Sequence, residues 1–314
     1  MSLTVIEQAY AKVNLCLFLG PTREDGRHEL VTVFDSVRLA DELIVGESES
    51  GVDEVVCDGV EGPNLVGDAL RGLRAAGWSA PPVRVEIWKR IPVAAGMGGG
   101  SADAAAMLRC AWRLSPVDES AVAAIAVSLG ADVPGQLRPG PSLGTGAGER
   151  IEQLASLESY GVLVLPQPFA LSTPEVYREA DRLGLGRTRD ELAALRARLA
   201  EMLPALAADG GPRRRVGACP GEHAALPAEL CVNDLEPAAV SLAPELEGAL
   251  QAARAAGADH AMVCGSGPTV MGLFHGREAG TRARAAAADP HVRERFPRAV
   301  AAAPVHWAQS GGPE

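Results

Sequence analysis

Residues 92–106 read PVAAGMGGGSADAAA: a proline, then four glycines and a serine running directly into an alanine-rich stretch. Just upstream, VRVEIW at 83–88 alternates, with Val83, Val85 and Ile87 on one face, the signature of a half-buried strand. The order is therefore strand, glycine turn, helix, and the helix is predicted from about Ser101 to Arg113. Gly98, Gly99 and Gly100 have no side chains to screen their backbone. Their N–H groups, with those of Ser101 and Ala102, can converge on an anion at the helix N-terminus, where the helix dipole favours negative charge. Ser101 adds a hydroxyl for a phosphate oxygen or a metal ion. Three consecutive glycines cost up to about 1 kcal/mol each relative to alanine, more than a plain connector needs. A phosphate-holding loop is the expectation.

Three better-known phosphate loops do not fit the letters. A Walker A loop needs a glycine followed by Lys-Ser/Thr, and no glycine here precedes lysine. In a dinucleotide fingerprint Gly96 and Gly98 match, but the third glycine position is Ser101 and the strand lies far from the N-terminus. The His-Arg-Asp and Asp-Phe-Gly pair of protein kinases is absent. The loop carries no cation of its own, so the charge that faces a phosphate has to come from elsewhere in the chain.

Working outward, VNLCLFL at 13–19 places Val13, Leu15, Leu17 and Leu19 on one strand face, with Lys12, Asn14 and Cys16 on the other. Lys12 and Lys89 are the only lysines among 29 Lys plus Arg, which draws attention to both. Lys12 lies in a strand, whereas Lys89 reads as a solvated strand end. Ser115, Pro116 and Asp118 predict a helix start, and Gly130 a stop. The pattern restarts with a buried-strand run at 161–166, a helix beginning at Thr173-Pro174-Glu175, and a helix at 244–256 stopped by Gly257. Strands AMVC and TVMGLF flank the turn GSGP, and one more helix and a last strand near 298–303 finish the chain. Residues 187–229, including the arginine run at 213–215, carry no chemical signature. Strands and helices mix without regular βαβ alternation, so the class is α+β with two domains, 1–155 and 156–314, the last strand being able to return to the first.

Bulk properties exclude several roles. A formal net charge of -11 over 314 residues argues against a general nucleic-acid binder. The N-terminus has no signal-peptide pattern and no apolar run approaches the length of a membrane span, so a cytoplasmic protein without membrane partners is expected. The six cysteines are scattered and read as free thiols. The six histidines are dispersed, and no His/Cys/Asp/Glu cluster has metal-ligand spacing, so no protein-held metal is expected.

The stretch KRIPVAAGMGGGSADAAA resembles the Pro-x-x-x-Gly-Leu-Gly-Ser/Gly-Ser-Ser/Ala loop of the galactokinase, homoserine kinase, mevalonate kinase and phosphomevalonate kinase superfamily. AKVNLCLFLG with REDGRHELVTVF, GADVPGQLRPGPSLGTGAGE, STPEVYREAD, and NDLEPAA with GSGPTVMGLF, in this order from residue 11 to 274, are similar to the 4-diphosphocytidyl-2-C-methyl-D-erythritol kinase family within it. The resemblance implies an N-terminal domain like the second domain of ribosomal protein S5 and a ferredoxin-like C-terminal α/β sandwich. It implies an ATP-dependent small-molecule kinase of non-mevalonate isoprenoid biosynthesis, acting on the 2-hydroxyl of a substrate with a cytidine diphosphate moiety. Pro92, Val93, Ala94, Ala95, Gly96, Met97, Gly98, Gly99, Gly100, Ser101 and Ala102 then form the ATP loop. Lys12 and Asp132 correspond to the catalytic lysine and base, the lysine supplying the charge the loop lacks. Asn14, His28, Tyr177, Ser266 and Gly267 fall at substrate-binding positions, with His28 at the cytosine edge and Tyr177 stacked on the base. Magnesium is expected to arrive with ATP. Arg27 stands where relatives usually carry tyrosine, Tyr10 where they carry proline and Cys264 where they carry serine. Two other readings compete: a sibling kinase for mevalonate or homoserine, which would leave His28 and Tyr177 without a base, and a non-catalytic RNA-binding protein, which the acidic charge opposes.

Overall fold

The computed structural model describes residues 4–60, 62–155, 157–203, 205 and 226–305. The arginine run at 213–215 and Cys219 lie outside the described residues; the other five cysteines are free thiols. The first unit runs β1 (Val5–Thr22), β2 (His28–Glu47), β3 (Glu54–Val56), α1 (Leu65–Ala75), β4 (Val83–Trp88), α2 (Gly99–Leu114), α3 (Glu119–Leu129), α4 (Val133–Gln136), β5 (Ser142–Gly146) and β6 (Arg150–Gln153). Its sheet has the order β3-β4-β2-β5-β6, with β1 also paired to the long β2. The second unit runs β7 (Tyr160–Leu165), α5 (Thr173–Leu183), α6 (Arg189–Met202), α7 (Glu236–Leu242), α8 (Glu245–Ala255), β8 (His260–Val263), β9 (Val270–His275), α9 (Ala279–Ala288), α10 (Pro290–Arg295) and β10 (Val300–Ala302). Its antiparallel sheet has the order β10-β7-β9-β8, which is the 4-1-3-2 arrangement of a ferredoxin-like sandwich. The α+β class with two packed units is the one the sequence predicts.

The apolar run of β7 follows from burial on both faces. Leu163 and Leu165 join the core under the second unit's helices, while Val162, Val164 and Tyr160 pack into the first unit's core. The Tyr160 hydroxyl donates to Asp35 Oδ2 at 2.8 Å, a buried bond between the two sheets. Burial pushes the Asp35 carboxyl up to about 8, with the Tyr160 bond opposing. β10 pairs with β7, and the chain just beyond it reaches β2: Arg38 N donates to Ala303 O and Val305 N to Ser36 O, both at 2.8 Å.

Four local expectations need correction. The alternation of β1 breaks at Leu15, because Asn14 pairs with Phe34 and Cys16 with Val33, leaving Leu15 as a bulge. The bulge swaps faces, so Val13, Leu15 and Phe18 enter one core while Leu17 and Leu19 enter the other. The helix after the glycine loop starts at Gly99 rather than Ser101. Asp118, rather than Ser115, caps α3 by accepting from Ala121 N at 3.1 Å, and Ser115 ends α2 in an extended conformation. Finally, two helices, α9 and α10, precede the last strand, with Asp289 and Pro290 dividing them. Among the described residues no helix is long and apolar enough to cross a membrane.

Candidate active site

The glycine loop forms part of the wall of two clefts. One, of about 370 Å³, is lined by Lys12, Asn14, Asp132, Tyr177 and Ser266; the other, of about 350 Å³, is lined by Leu65, Pro92, Val93, Gly99 and Gly100. Gly96, Gly98 and Ser101 line both.

Two glycines are dictated by packing and conformation together. Gly96 has φ +74°, and a Cβ there would sit 2.6 Å from the carbonyl oxygens of both Cys264 and Gly267. Gly98, the N-cap of α2, has φ +66°, and a Cβ would meet Gln136 Nε2 at 2.8 Å and Lys12 Cγ at 3.1 Å. The loop thus presses its backbone against the GSGP turn on one side and the Lys12 side chain on the other. Gly96→Ala is expected to cost about 2–3 kcal/mol, from the left-handed conformation plus displacement of the turn, and to lower turnover with it; denaturant unfolding and steady-state rates check this.

Lys12 is held from several directions. Its backbone N–H donates to Met97 O at 3.0 Å, which fixes β1 to the loop. Its Nζ donates to Asn14 Oδ1 at 2.7 Å and stands 3.8 Å from Asp132 Oδ2. Asn14 Nδ2 in turn donates to Thr32 Oγ1 at 2.8 Å, and Thr32 Oγ1 to Cys16 O at 2.6 Å. The ammonium is buried, whereas the Asp132 side chain is 49 % exposed and opens to the cleft. Asp132 sits at the N-cap of α4 without capping it, so its carboxylate is not committed to the helix. Gln136, on the same short helix, donates from Nε2 to Gly98 O at 3.2 Å, and the buried Arg109 donates to Gln136 O at 2.6 Å.

Tyr177 lines the same cleft as Lys12 and Asp132 from α5, its phenol held above the ordinary range by burial and by the Asp132 carboxylate. Its ring lies 5.1 Å from that of His28 at 32°. His28 itself is 7 % exposed and is not on the cleft wall. Its Nε2 is 2.7 Å from Asp181 Oδ1 and 3.3 Å from Thr22 Oγ1, so that ring nitrogen is engaged within the protein. Ser266 Oγ is 2.8 Å from Thr173 Oγ1, which ties the turn to the start of α5. Met97, Ala102 and Gly267 stand behind the wall: Met97 and Ala102 are buried, and Gly267 packs on Val263 and against Gly96.

Lys89 is not a solvated strand end. Its Nζ donates to Asp41 Oδ2 and, at 2.7 Å, to Asp103 Oδ2, while Asp41 Oδ1 accepts from Ile91 N at 2.7 Å. This buried triad fastens the loop's entry to the first turns of α2. Burial pushes Asp103 upward with help from Asp41, against the pull of Lys89; burial opposes the charge on Lys89, but the two carboxylates outweigh it and raise its pKa.

Sequence reasoning also gave no role to Asn233 or Thr32. Asn233 Nδ2 donates to Val263 O at 2.8 Å and Gly265 O at 2.7 Å, and its neighbours pair with β1 through Leu17 N to Val232 O and Asp234 N to Leu17 O. Asn233 lies in NDLEPAA, a motif quoted for its resemblance, so a signal was present without a contact to interpret it. Leu30, Thr32 and Phe34, all lining the cleft, share one face of β2 by simple alternation.

Comparison with known proteins agrees with this geometry. Residues 64–140 match the GHMP kinases N terminal domain and residues 202–292 the GHMP kinases C terminal domain. The 4-diphosphocytidyl-2-C-methyl-D-erythritol kinase of Streptomyces coelicolor is 42 % identical over 283 residues, covering 87 % of this chain and 88 % of that protein. The Corynebacterium efficiens protein of the same name is 39 % identical, covering 85 % and 84 %. A solved 4-(cytidine 5'-diphospho)-2C-methyl-D-erythritol kinase superposes with a TM-score of 0.70 at 33 % identity, over 96 % of this chain and all of that one. With the loop, the Lys12–Asp132 pair and the two-sheet fold already in place, this likeness over nearly the whole length shows that the chain belongs to the 4-diphosphocytidyl-2-C-methyl-D-erythritol kinase family of the GHMP kinases.

Proposed function

We propose that this kinase transfers the γ-phosphoryl group of ATP to the 2-hydroxyl of 4-diphosphocytidyl-2-C-methyl-D-erythritol. The observation that carries the reading is the uncommitted Asp132 carboxylate, 3.8 Å from the Lys12 ammonium, in a cleft that shares its glycine-loop wall with a second cleft. ATP occupies the cleft walled by Leu65, Pro92 and Val93 and lays its phosphates on the start of α2. That turn fits an anion: Gly96 and Gly98 bring the backbone close, no acidic residue stands in the first turn, and the first helical N–H groups have no intrahelical acceptor.

The acceptor lies in the other cleft. Asp132 takes the proton from its hydroxyl as the oxygen attacks phosphorus. Lys12, 3.8 Å from Asp132, offsets the charge on the attacking oxygen and the transferring group. Asn14 holds the Lys12 ammonium in place and faces the acceptor. Tyr177, backed by His28, offers a flat surface to the cytosine, and Ser266, bonded to Thr173 one turn earlier on α5, offers a hydroxyl nearby. Magnesium arriving with ATP would neutralise charge on the phosphates, and Ser101 is the loop hydroxyl that would hold it.

A substrate panel tests the assignment. Purified protein with Mg-ATP is expected to consume ATP with the diphosphocytidyl alcohol and to turn over mevalonate and homoserine at background rates. Equal turnover of either of these would overturn the specificity, and the Tyr177–His28 pair would then be packing alone.

A further inference from the structure

Metal-ligand spacing is absent from the sequence, yet the fold gathers one ligand set away from the cleft. Cys231, His260 and His275 bring Sγ and imidazole nitrogens to within 4.8 Å of one another. They come from three separate pieces of chain: the segment before α7, the first residue of β8 and the last residue of β9. The two imidazoles meet edge to face at 5.6 Å between centroids. Cys231 and His275 also line a small cavity with Tyr160 and Glu158, so a carboxylate borders the same space. None of the three ligand residues is fully exposed, and their spacing suits an ion better than an organic ligand.

We propose that Cys231, His260 and His275 form a structural site for a zinc-type divalent cation, with Glu158 or water as the fourth ligand. A thiolate with two imidazoles is a borderline-soft donor set that prefers zinc over magnesium or calcium. Tetrahedral zinc, with bonds of about 2.0–2.3 Å, needs its donors about 3.3–3.7 Å apart. Starting from separations of at most 4.8 Å, small side-chain rotations close the set without moving a strand. On binding, the Cys231 thiol gives its proton to solvent and its sulfur bonds to the ion; no redox change takes place.

The position gives the site a purpose. Cys231 lies two residues before Asn233, the residue that holds the GSGP turn through the carbonyls of Val263 and Gly265. His260 and His275 are at the open end of the β8–β9 hairpin whose other end is that turn. A bound ion therefore staples the 231–233 segment to the open end of the hairpin, while Asn233 secures it to the turn.

Cobalt titration of the untagged, chelator-treated full chain tests this. One equivalent of Co2+ is expected to produce a near-ultraviolet thiolate-to-cobalt charge-transfer band that Zn2+ abolishes and excess Mg2+ leaves unchanged, and Zn2+ is expected to raise the melting temperature. Cys231→Ser should lose the band, and His260→Gln and His275→Gln should each weaken cobalt binding by at least tenfold, with metal-free melting temperatures near that of the parent. Absence of the band from the parent chain, or its survival in Cys231→Ser, would overturn the proposal. Because the readouts are spectroscopic and thermal, failure here is separable from any failure of the kinase assignment.

Discussion

Replacing Asp132 by asparagine is expected to lower kcat by about 10²–10⁴-fold while leaving nucleotide affinity unchanged. Asparagine keeps the size and the cleft shape but cannot accept the acceptor's proton. The separation of effects follows from where Asp132 lies: it lines the cleft proposed for the acceptor and not the one proposed for ATP. Its side chain is half exposed and makes no capping bond, so the substitution removes little packing. Single-turnover rates measure the first effect and calorimetric titration with a non-hydrolysable ATP analogue the second. Turnover close to that of the parent enzyme would remove Asp132 from the role of base.

Lys12→Met is expected to reduce kcat by about 10²–10³-fold, the range seen when a preorganised donor to developing charge is removed. Lys12→Arg should not restore it. The Lys12 stem is packed against Gly98, where even a Cβ would lie 3.1 Å from its Cγ, and a planar guanidinium needs more room than a compact ammonium. The methionine also leaves Asn14 Oδ1 without its 2.7 Å donor, so some loss of stability accompanies the loss of rate. Measuring unfolding alongside kcat separates the two, since the rate should fall in protein that is still folded. Rescue by arginine would mean that any positive charge suffices and that the placement of Nζ is unimportant.

Much of this site is legible in the sequence because its pieces are local. The glycine run, the two-residue spacing of Lys12 and Asn14 on a strand, and the turn signals around Asp132 and Ser266 each depend on neighbours a few positions away. The strands of the second sheet are likewise foreshadowed by apolar runs of strand length between helical patterns, whereas its ferredoxin-like arrangement is implied only by the family resemblance. What escapes is what depends on partners far along the chain. A one-residue bulge at Leu15 swaps the faces of β1, and nothing in VNLCLFL marks it, because every position there is buried, Asn14 at the cleft and the rest in one core or the other. Lys89 reads as solvated until the fold supplies Asp41 and Asp103. His28 reads from its neighbours as a solvated loop histidine, and the fold brings Asp181, 153 positions away, to 2.7 Å from its Nε2. The convergence of Cys231, His260 and His275 is of the same kind, since strand pairing rather than spacing brings them together.

The shared wall bears on the kinetics. Two clefts that have Gly96, Gly98 and Ser101 in common give the proposed donor and acceptor room at the same time, with their reacting ends at the loop. Neither ligand has to leave before the other arrives. The architecture thus suits direct transfer within a ternary complex, with no phosphorylated side chain as a way-station, and initial-rate plots for the two substrates should intersect rather than run parallel.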